Sequence, residues 1–250
     1  MNLTELSVLA WVLLAAGAAV VGFAKTAVGG AGALAVVAFA AALPAKDSTG
    51  ALLPLLLVGD LIAVKAYHRH ADWAVLLRLL PGVLPGLLLG AWFLSIADDN
   101  LMRRSIGAIL LAMTALQVWT RRTGPPAADR KGHARPLLAI AMGLAAGFTT
   151  MTANAAGPVT TLYLLAAGLP MLQFLGTAAW FYLLVNAAKL PFSAGLDLIS
   201  RDSLVVDAVL VPALVVGALA GILLVRRIDQ AQFERVALVL AGVAAAALLV

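Results

Sequence analysis

The chain has 250 residues, of which 63% are hydrophobic and only 12% are charged, and its mean hydropathy is +1.03. A soluble domain carries about twice that share of charge, so this composition excludes a soluble helical protein. The net charge of +5 falls mainly in short connectors between apolar runs, which indicates a positive-inside bias and no nucleic-acid partner. We therefore expect an all-α integral membrane protein that lies in a lipid bilayer.

Several kinds of chemistry are excluded by what the chain lacks. It has no cysteine, so thiol redox chemistry and cysteine-bound metals are ruled out. Its three histidines lie in loops without matched carboxylates, so we expect neither a metal nor a cofactor. No phosphate-binding loop of an ATPase is present, and no His/Asp/Ser constellation lies in the apolar runs. We predict no catalytic residues. The start of the chain also lacks the basic segment of a signal peptide.

Ten apolar runs follow one another along the chain. In the first half they cover residues 6–23, 31–43, 49–66, 73–96 and 102–120, and in the second half 137–151, 155–168, 171–192, 204–225 and 235–250. Linker 121–136 separates them, with five basic side chains against Asp129, and is predicted to be cytoplasmic. The predicted organisation is a first transmembrane repeat (1–120), this linker, and a second repeat (137–250).

The two halves repeat each other at an offset of 125 residues that widens along the chain. Gly22-Phe23 recurs as Gly147-Phe148, and Asp60 recurs as Asn186. The other matched pairs are Ala31-Gly32 with Ala156-Gly157, Leu43-Pro44 with Leu169-Pro170, Gly50 with Gly176, and Pro81, Gly86, Gly90 and Arg104 with Pro212, Gly217, Gly221 and Arg235. A duplicated apolar chain interrupted at matching points is typical of secondary transporters, whose substrate site lies between the repeats.

Each repeat is predicted to begin with a broken or hairpin-like element. Runs 31–43 and 155–168 would span only about 20 Å as helices, less than the roughly 30 Å of the hydrocarbon core. The irregular centres are predicted at residues 25–32 and 149–157. Whether the short helices cross fully, giving ten segments, or do not, giving eight, is left open.

The distribution of Lys and Arg predicts opposite orientations for the two repeats. Connectors 65–72 and 226–235 are basic, whereas 97–104 is balanced and 193–203 is weakly acidic. Connector 65–72 is therefore placed in the cytoplasm, and the corresponding connector 193–203 outside. This predicts an odd number of crossings per repeat and an inverted-topology pair. Four crossings per repeat, giving a parallel pair, is the alternative.

The two breaks carry the candidate anion site. A helix that begins at a glycine-rich break offers free N–H donors and a partial positive charge, which suit an anion. Hydroxyl and amide groups of the second break can replace part of an anion's hydration shell. The alternative is close helix packing through small residues. The candidate residues at the breaks are Lys25, Thr26, Gly29, Gly30, Gly32, Thr149, Thr150, Thr152, Asn154 and Gly157.

Ionisable residues inside apolar runs complete the candidate site. Each costs roughly 2.5–3.5 kcal/mol at mid-helix, so a function is the default interpretation. Lys25 could bind an anion or cap its helix, and Lys189, near Asn186, could bind substrate or reach the interface. We take Asp60 as the only carboxylate deep in an apolar run, and assign it to proton coupling or to a permanent pair with a lysine. Lys65, near a helix end, is expected to reach the interface.

The chain resembles the sulfite exporter TauE/SafE family of bacterial permeases over nearly its whole length. The resemblance rests on the break Gly22 to Gly32, a short apolar stretch, a Leu-Pro turn and a long helix in each half, and on Asn186-Ala-Ala-Lys189. It departs from the family pattern at the second break, where Asn154-Ala-Ala-Gly157 replaces a glycine run. The resemblance implies transport of small anions such as sulfite, sulfonates and related oxyanions.

The function predicted from these observations is secondary transport of a small anion by alternating access in the bacterial cytoplasmic membrane, with protons as a candidate coupling ion. A membrane-embedded enzyme acting on a lipid-linked substrate and a non-transporting membrane subunit are the alternatives. The sequence leaves open the substrate, the direction of transport, and whether the protein is a monomer or a homodimer.

Overall fold

The computed structural model describes residues 6–27, 31–123 and 136–224 and the single positions 239, 242, 246 and 248. Within these residues the fold is entirely helical. Seven helices are long and apolar enough to cross a membrane, and two further apolar helices are shorter. The prediction of an all-α integral membrane protein is therefore confirmed. The predicted run 235–250 and most of linker 121–136 lie outside the described residues.

The helices follow the predicted runs closely. The first half contains α1 (Val8–Thr26), α2 (Gly32–Ala42), α3 (Ala45–Tyr67), α4 (Trp73–Ile96) and α5 (Asp99–Thr123), and the second half contains α6 (Pro136–Ala153), α7 (Gly157–Ala166), α8 (Met171–Gly195) and α9 (Arg201–Leu224). The matched prolines Pro44 and Pro170 stand immediately before α3 and α8, because proline cannot continue a preceding helix but fits the start of the next. Asp72 caps α4 by accepting a hydrogen bond from the Val75 amide at 3.0 Å.

The short second helix of each half begins at the predicted break. α2 has 11 residues and α7 has 10, so each spans about 15 Å, roughly half of a hydrocarbon core. The second break turns at Asn154, whose φ of 50° is left-handed, a conformation that asparagine tolerates better than most residues. This turn lets the Ala155 amide donate back to the Thr149 carbonyl at 3.1 Å, which terminates α6.

Two pairs of helices pack through glycine, and each pair joins the two halves of the chain. In α4 and α6, a Cβ on Gly86 would lie 2.3 Å from the Leu144 carbonyl oxygen, and one on Gly147 would lie 2.3 Å from that of Val83. In α1 and α9, the repeat equivalents of α6 and α4, a Cβ on Gly22 would lie 2.0 Å from the Leu214 carbonyl oxygen. Only glycine permits backbones to approach this closely.

The two interfaces use the same positions of the repeat. Gly22 and Gly147 are aligned by the repeat, and so are their contact residues Leu214 and Val83. Within each pair the helices run parallel, since successive glycines of one helix meet successive residues of the other. Each half therefore contributes one helix to each interface in a reciprocal exchange.

The equivalent helices α3 and α8 run antiparallel at the centre of the bundle. Gly50, near the start of α3, packs against Leu198, which follows the end of α8. Its repeat equivalent, Gly176, lies near the start of α8 and packs against Tyr67 and Ala71 at the end of α3. Connectors 68–72 and 196–200 consequently lie at opposite ends of the bundle.

Contacts with α3 show in which direction the other helices run. Thr26, at the end of α1, accepts a hydrogen bond from the Tyr67 hydroxyl at the end of α3 (2.9 Å), so α1 is parallel to α3. The Lys46 ammonium at the start of α3 donates to the Ala97 carbonyl after α4 (3.1 Å), so α4 is antiparallel to it. With the pairings above, α1, α3 and α9 point one way and α6, α8 and α4, their equivalents, point the other.

Apolar side chains cover the outside of the bundle. On α4 the exposed positions Leu84, Leu88 and Trp92 follow one another at intervals of four residues, and Trp92 is 63% exposed. On α9, Val216 and Leu223 are 66% and 72% exposed. Such a surface would be unstable in water and is suited to lipid.

The reciprocal glycine contacts predict equal sensitivity at equivalent positions. Gly22→Ala and Gly147→Ala should each destabilise the protein by about 1–3 kcal/mol, because a methyl group would meet backbone that cannot move alone. Thermal unfolding in detergent measures the loss, and Gly195→Ala is the control because a Cβ there meets nothing within 4 Å. An equal loss in the control, or a loss at only one of the two equivalent glycines, would contradict the reciprocal packing.

Candidate functional site

A cavity of about 120 Å³ lies between the two halves of the chain. Helices α1, α2, α3 and α5 of the first half and α6, α7 and α8 of the second contribute to its wall. Most of the wall is apolar, with residues such as Leu52, Leu110 and Phe174. The charged groups of the wall, Lys25 and Asp60, lie together with Asn186 and form its polar side.

Asp60 is the centre of the polar side. Its side chain is fully buried on α3, and one carboxylate oxygen, Oδ1, lies 2.6 Å from the Lys25 ammonium of α1. The other oxygen, Oδ2, accepts a hydrogen bond of 2.7 Å from the Asn186 amide of α8. Both oxygens are thus engaged, and the carboxylate joins three helices. The lysine that pairs with Asp60 in the structure is Lys25.

The contact between Asp60 and Asn186 joins two equivalent positions of the repeat. Their hydrogen bond marks where the antiparallel helices α3 and α8 cross. Only the first half contributes a carboxylate at this crossing, so the site is polar in both halves but charged asymmetrically.

Lys25 lies between a carboxylate and an aromatic ring. Its ammonium is 2.6 Å from Asp60 and 4.3 Å from the centroid of the Tyr182 ring, a distance that allows a cation–π interaction. Gly59 leaves room for the lysine stem, since a Cβ there would lie 3.1 Å from Lys25 Cγ. The Lys25 side chain is 13% exposed and lines the cavity. Its place in the last turn of α1 also favours a cation.

A second lysine lies directly behind the cavity wall. Lys189 is 1% exposed, and its ammonium donates a hydrogen bond to the Asn154 side-chain oxygen. The Asn154 amide donates in turn to the Thr49 carbonyl of α3 at 3.0 Å. Of the carboxylates that the structure describes, none lies within 4.0 Å of the Lys189 ammonium. Lys189 is buried, which excludes the alternative that it reaches the membrane interface.

The first residues of both short helices face the cavity. Gly32 and Ala33 of α2 lie on one side of it, and Gly157 and Pro158 of α7 on the other. The first turn of a helix carries amide donors without partners inside the helix, so two partial positive charges point toward the same space. Hydroxyl groups stand beside them at Thr150, Thr160 and Thr161. The Thr160 hydroxyl is buried and stands near the Tyr182 hydroxyl.

Some of the residues predicted for the anion site do not offer their side chains to the cavity. The Thr26 hydroxyl bonds to the Ala218 carbonyl of α9 at 2.9 Å and holds α1 against α9. Thr149 and Thr152 donate to carbonyl groups of their own helix, at 2.7 Å and 2.8 Å, so these hydroxyls are not offered to the cavity. Gly29 and Gly30 fall outside the described residues. The predicted residues that do line the cavity are Lys25, Gly32, Asp60, Thr150, Asn154, Gly157 and Asn186.

The structure also reveals polar residues that the sequence reasoning missed. Gln117 and Thr114 of α5 line the cavity, and their occurrence inside an apolar run was the available signal. Tyr182 lies in the wall beside Lys25. The expectation that Asp60 is the only carboxylate deep in an apolar run is wrong. Asp207 of α9 is 4% exposed, and its oxygens have no hydrogen-bond partner in the described part of the chain.

Comparison with known proteins places the chain in a family. The model of one family, described as sulfite exporter TauE/SafE, matches residues 14–248 and so includes both repeats. No curated protein and no solved structure gives a match. The family match covers nearly the whole chain and agrees with the resemblance seen in its breaks. This chain belongs to the sulfite exporter TauE/SafE family of membrane transporters.

Proposed function

We propose that the protein transports a small anion, namely sulfite, a sulfonate or a related organosulfur oxyanion, across the bacterial cytoplasmic membrane. The observation that carries this proposal is the ammonium of Lys25 in the wall of a cavity between the two halves. Amide donors of two helix starts and the hydroxyls of Thr150 and Thr161 line the same cavity. These groups are the donors that replace water around an oxyanion.

The charges around the cavity favour an anion over a cation. Lys25 and Lys189 contribute two ammonium groups, whereas Asp60 contributes one carboxylate. An ammonium inside a membrane protein is costly unless a counter-charge lies beside it. An anionic substrate supplies that counter-charge to Lys25 when Asp60 does not.

Alternating access is the mechanism that the arrangement of the helices supports. Equivalent helices point in opposite directions, and the cavity lies where the halves meet. An inverted-topology pair of repeats has this geometry, and it can present a central site first to one side of the membrane and then to the other. In this proposal residues 1–120 and 137–250 form the two repeats and residues 121–136 the cytoplasmic linker.

Transport in liposomes tests the proposed function directly. Purified protein reconstituted without other proteins should accelerate the flux of sulfite or of a simple sulfonate down its gradient, measured with empty liposomes as the control. A membrane enzyme or a subunit without transport activity would give the background flux. Sulfate, thiosulfate and sulfoacetate tested in parallel would establish the range of anions accepted.

Removing the Lys25 ammonium should weaken binding of the anion. Hydrogen bonds to charged groups contribute about 1.5–3 kcal/mol, so Lys25→Met should raise the Kd of the transported anion about 10- to 100-fold. Lys65→Met is the matched control, because it removes an exposed cation at the end of α3 that does not line the cavity. Isothermal calorimetry gives the affinities, and thermal unfolding gives the stability of each variant.

The Lys25 result also depends on Asp60, which loses its partner in the single variant. The neutral double variant Lys25→Met/Asp60→Asn removes both charges together and avoids an unpaired buried carboxylate. It should remain folded yet bind the anion about 10- to 100-fold more weakly than Asp60→Asn alone. Wild-type affinity in a folded Lys25→Met protein would assign this lysine to helix capping.

Cysteine labelling tests the proposed orientation, since the native chain contains no cysteine. The end of the bundle with connector 65–72 carries Lys65, Arg69 and Arg122, so the positive-inside rule places it in the cytoplasm. A cysteine in connector 65–72 should react only from inside, and one in connector 193–203 only from outside. Labelling of both from the same side would refute the inverted topology.

A further inference from the structure

We propose that Asp60 is a built-in competitor of the substrate, whose carboxylate occupies the Lys25 ammonium whenever no anion is bound and must release it before an anion can take its place. This inference rests on the proposed anion site and adds how that site is emptied and filled. The carboxylate thereby makes anion binding depend on binding of a proton at Asp60.

The geometry places the carboxylate where an oxyanion would bind. In the cavity wall that the structure describes, Lys25 contributes the ammonium group, while the ammonium of Lys189 is turned to Asn154 behind the wall. Asp60 Oδ1 is in direct contact with the Lys25 ammonium at 2.6 Å. A substrate oxygen that pairs with Lys25 must therefore displace this carboxylate oxygen or lie beside it.

The buried surroundings of the pair favour displacement of the Asp60 carboxylate over an arrangement in which it shares the Lys25 ammonium with the substrate. Two anionic groups sharing one ammonium inside a cavity repel each other strongly, because little water screens them. Protonation of Asp60 removes that repulsion and converts the carboxylate into a neutral group that no longer needs a cation. The proton comes from solvent, and no covalent bond other than the O–H bond forms.

Asn186 keeps Asp60 in place through this exchange. Its amide donates to Asp60 Oδ2 at 2.7 Å, on the side away from Lys25. A carbonyl or carboxylate oxygen accepts such a hydrogen bond in either protonation state. Asp60 can therefore give up Lys25 without moving away from α8, and it can recover the ion pair when the anion leaves.

The ionisable groups that face the pair come from two helices. Lys25 belongs to α1, and Lys189 and Tyr182 belong to α8. Among the described residues that line the cavity, α2, α5, α6 and α7 contribute polar or apolar groups but no ionisable side chain. Of these groups, Asp60 is the one whose carboxylate touches the Lys25 ammonium, so the competition assigns control of Lys25 to protonation of Asp60.

Binding measurements with anions of fixed charge test the competition. Ethanesulfonate and sulfate are suitable probes, because neither changes its charge between about pH 5 and pH 9. Binding linked to uptake of one proton weakens about tenfold for each pH unit above the pKa of the linked group. The Kd of the wild-type protein should show this increase between about pH 5 and pH 9. Asp60→Asn should bind at least as tightly as wild type does near pH 5, and its Kd should not show the wild-type increase with pH.

The control is Asp207→Asn, which removes another buried carboxylate outside the cavity wall. It should keep the wild-type pH dependence. A pH-independent Kd in wild type, or the wild-type pH dependence surviving unchanged in Asp60→Asn, overturns the competition. Failure of wild type and Asp60→Asn alike to bind either probe at any pH overturns the anion site itself, and the competition with it. Binding by Asp60→Asn alone supports the competition.

A measurement on the wild-type protein covers the case in which Asp60→Asn does not fold. Calorimetry in buffers of different ionisation enthalpy counts the protons taken up with each anion. At neutral pH and above, the competition predicts uptake of about one proton per ethanesulfonate bound. A purely structural ion pair between Lys25 and Asp60 predicts none, and that result would overturn the inference.

Discussion

The Asp60 carboxylate, held between the Lys25 ammonium and the Asn186 amide, is the interaction on which the centre of the molecule depends. An unpaired carboxylate at the middle of a membrane helix costs roughly 2.5–3.5 kcal/mol, and these partners offset that cost for Asp60. Because the partners belong to α1 and α8, satisfying one side chain fixes the relative positions of three helices. The same requirement places a cation, a carboxylate and an amide beside the cavity.

The two kinds of contact in the bundle differ in how easily they can change. The glycine interfaces of α1 with α9 and of α4 with α6 are formed by backbone against backbone, and separating them loses packing that nothing replaces. The polar centre consists of hydrogen bonds and an ion pair, which water or an anion can replace group by group. Movement within this protein is therefore expected at the polar centre, with the glycine-packed pairs moving as units.

Much of the fold follows from the sequence because its signals are local. Long apolar runs specify long helices, and Pro44 and Pro170 mark where α3 and α8 begin. The repeat predicted that Asp60 and Asn186 are equivalent, but not that they touch, because contact depends on how the halves dock. The threonines show most clearly what the sequence could not predict. Thr150 lines the cavity, whereas Thr149 and Thr152 bond to their own helix, a difference of helical rotation that composition does not encode.

The reciprocal exchange of helices has a consequence for what counts as a structural unit. α1 is packed against α9 and α4 against α6, so the closest partner of a helix in one sequence repeat belongs to the other repeat. A chain cut within residues 121–136 would yield two fragments, each exposing a glycine-lined helix face that only the other fragment can cover. The halves resemble each other as sequences, yet neither is a domain. An ancestral single repeat with this packing would have had to fold as an antiparallel dimer.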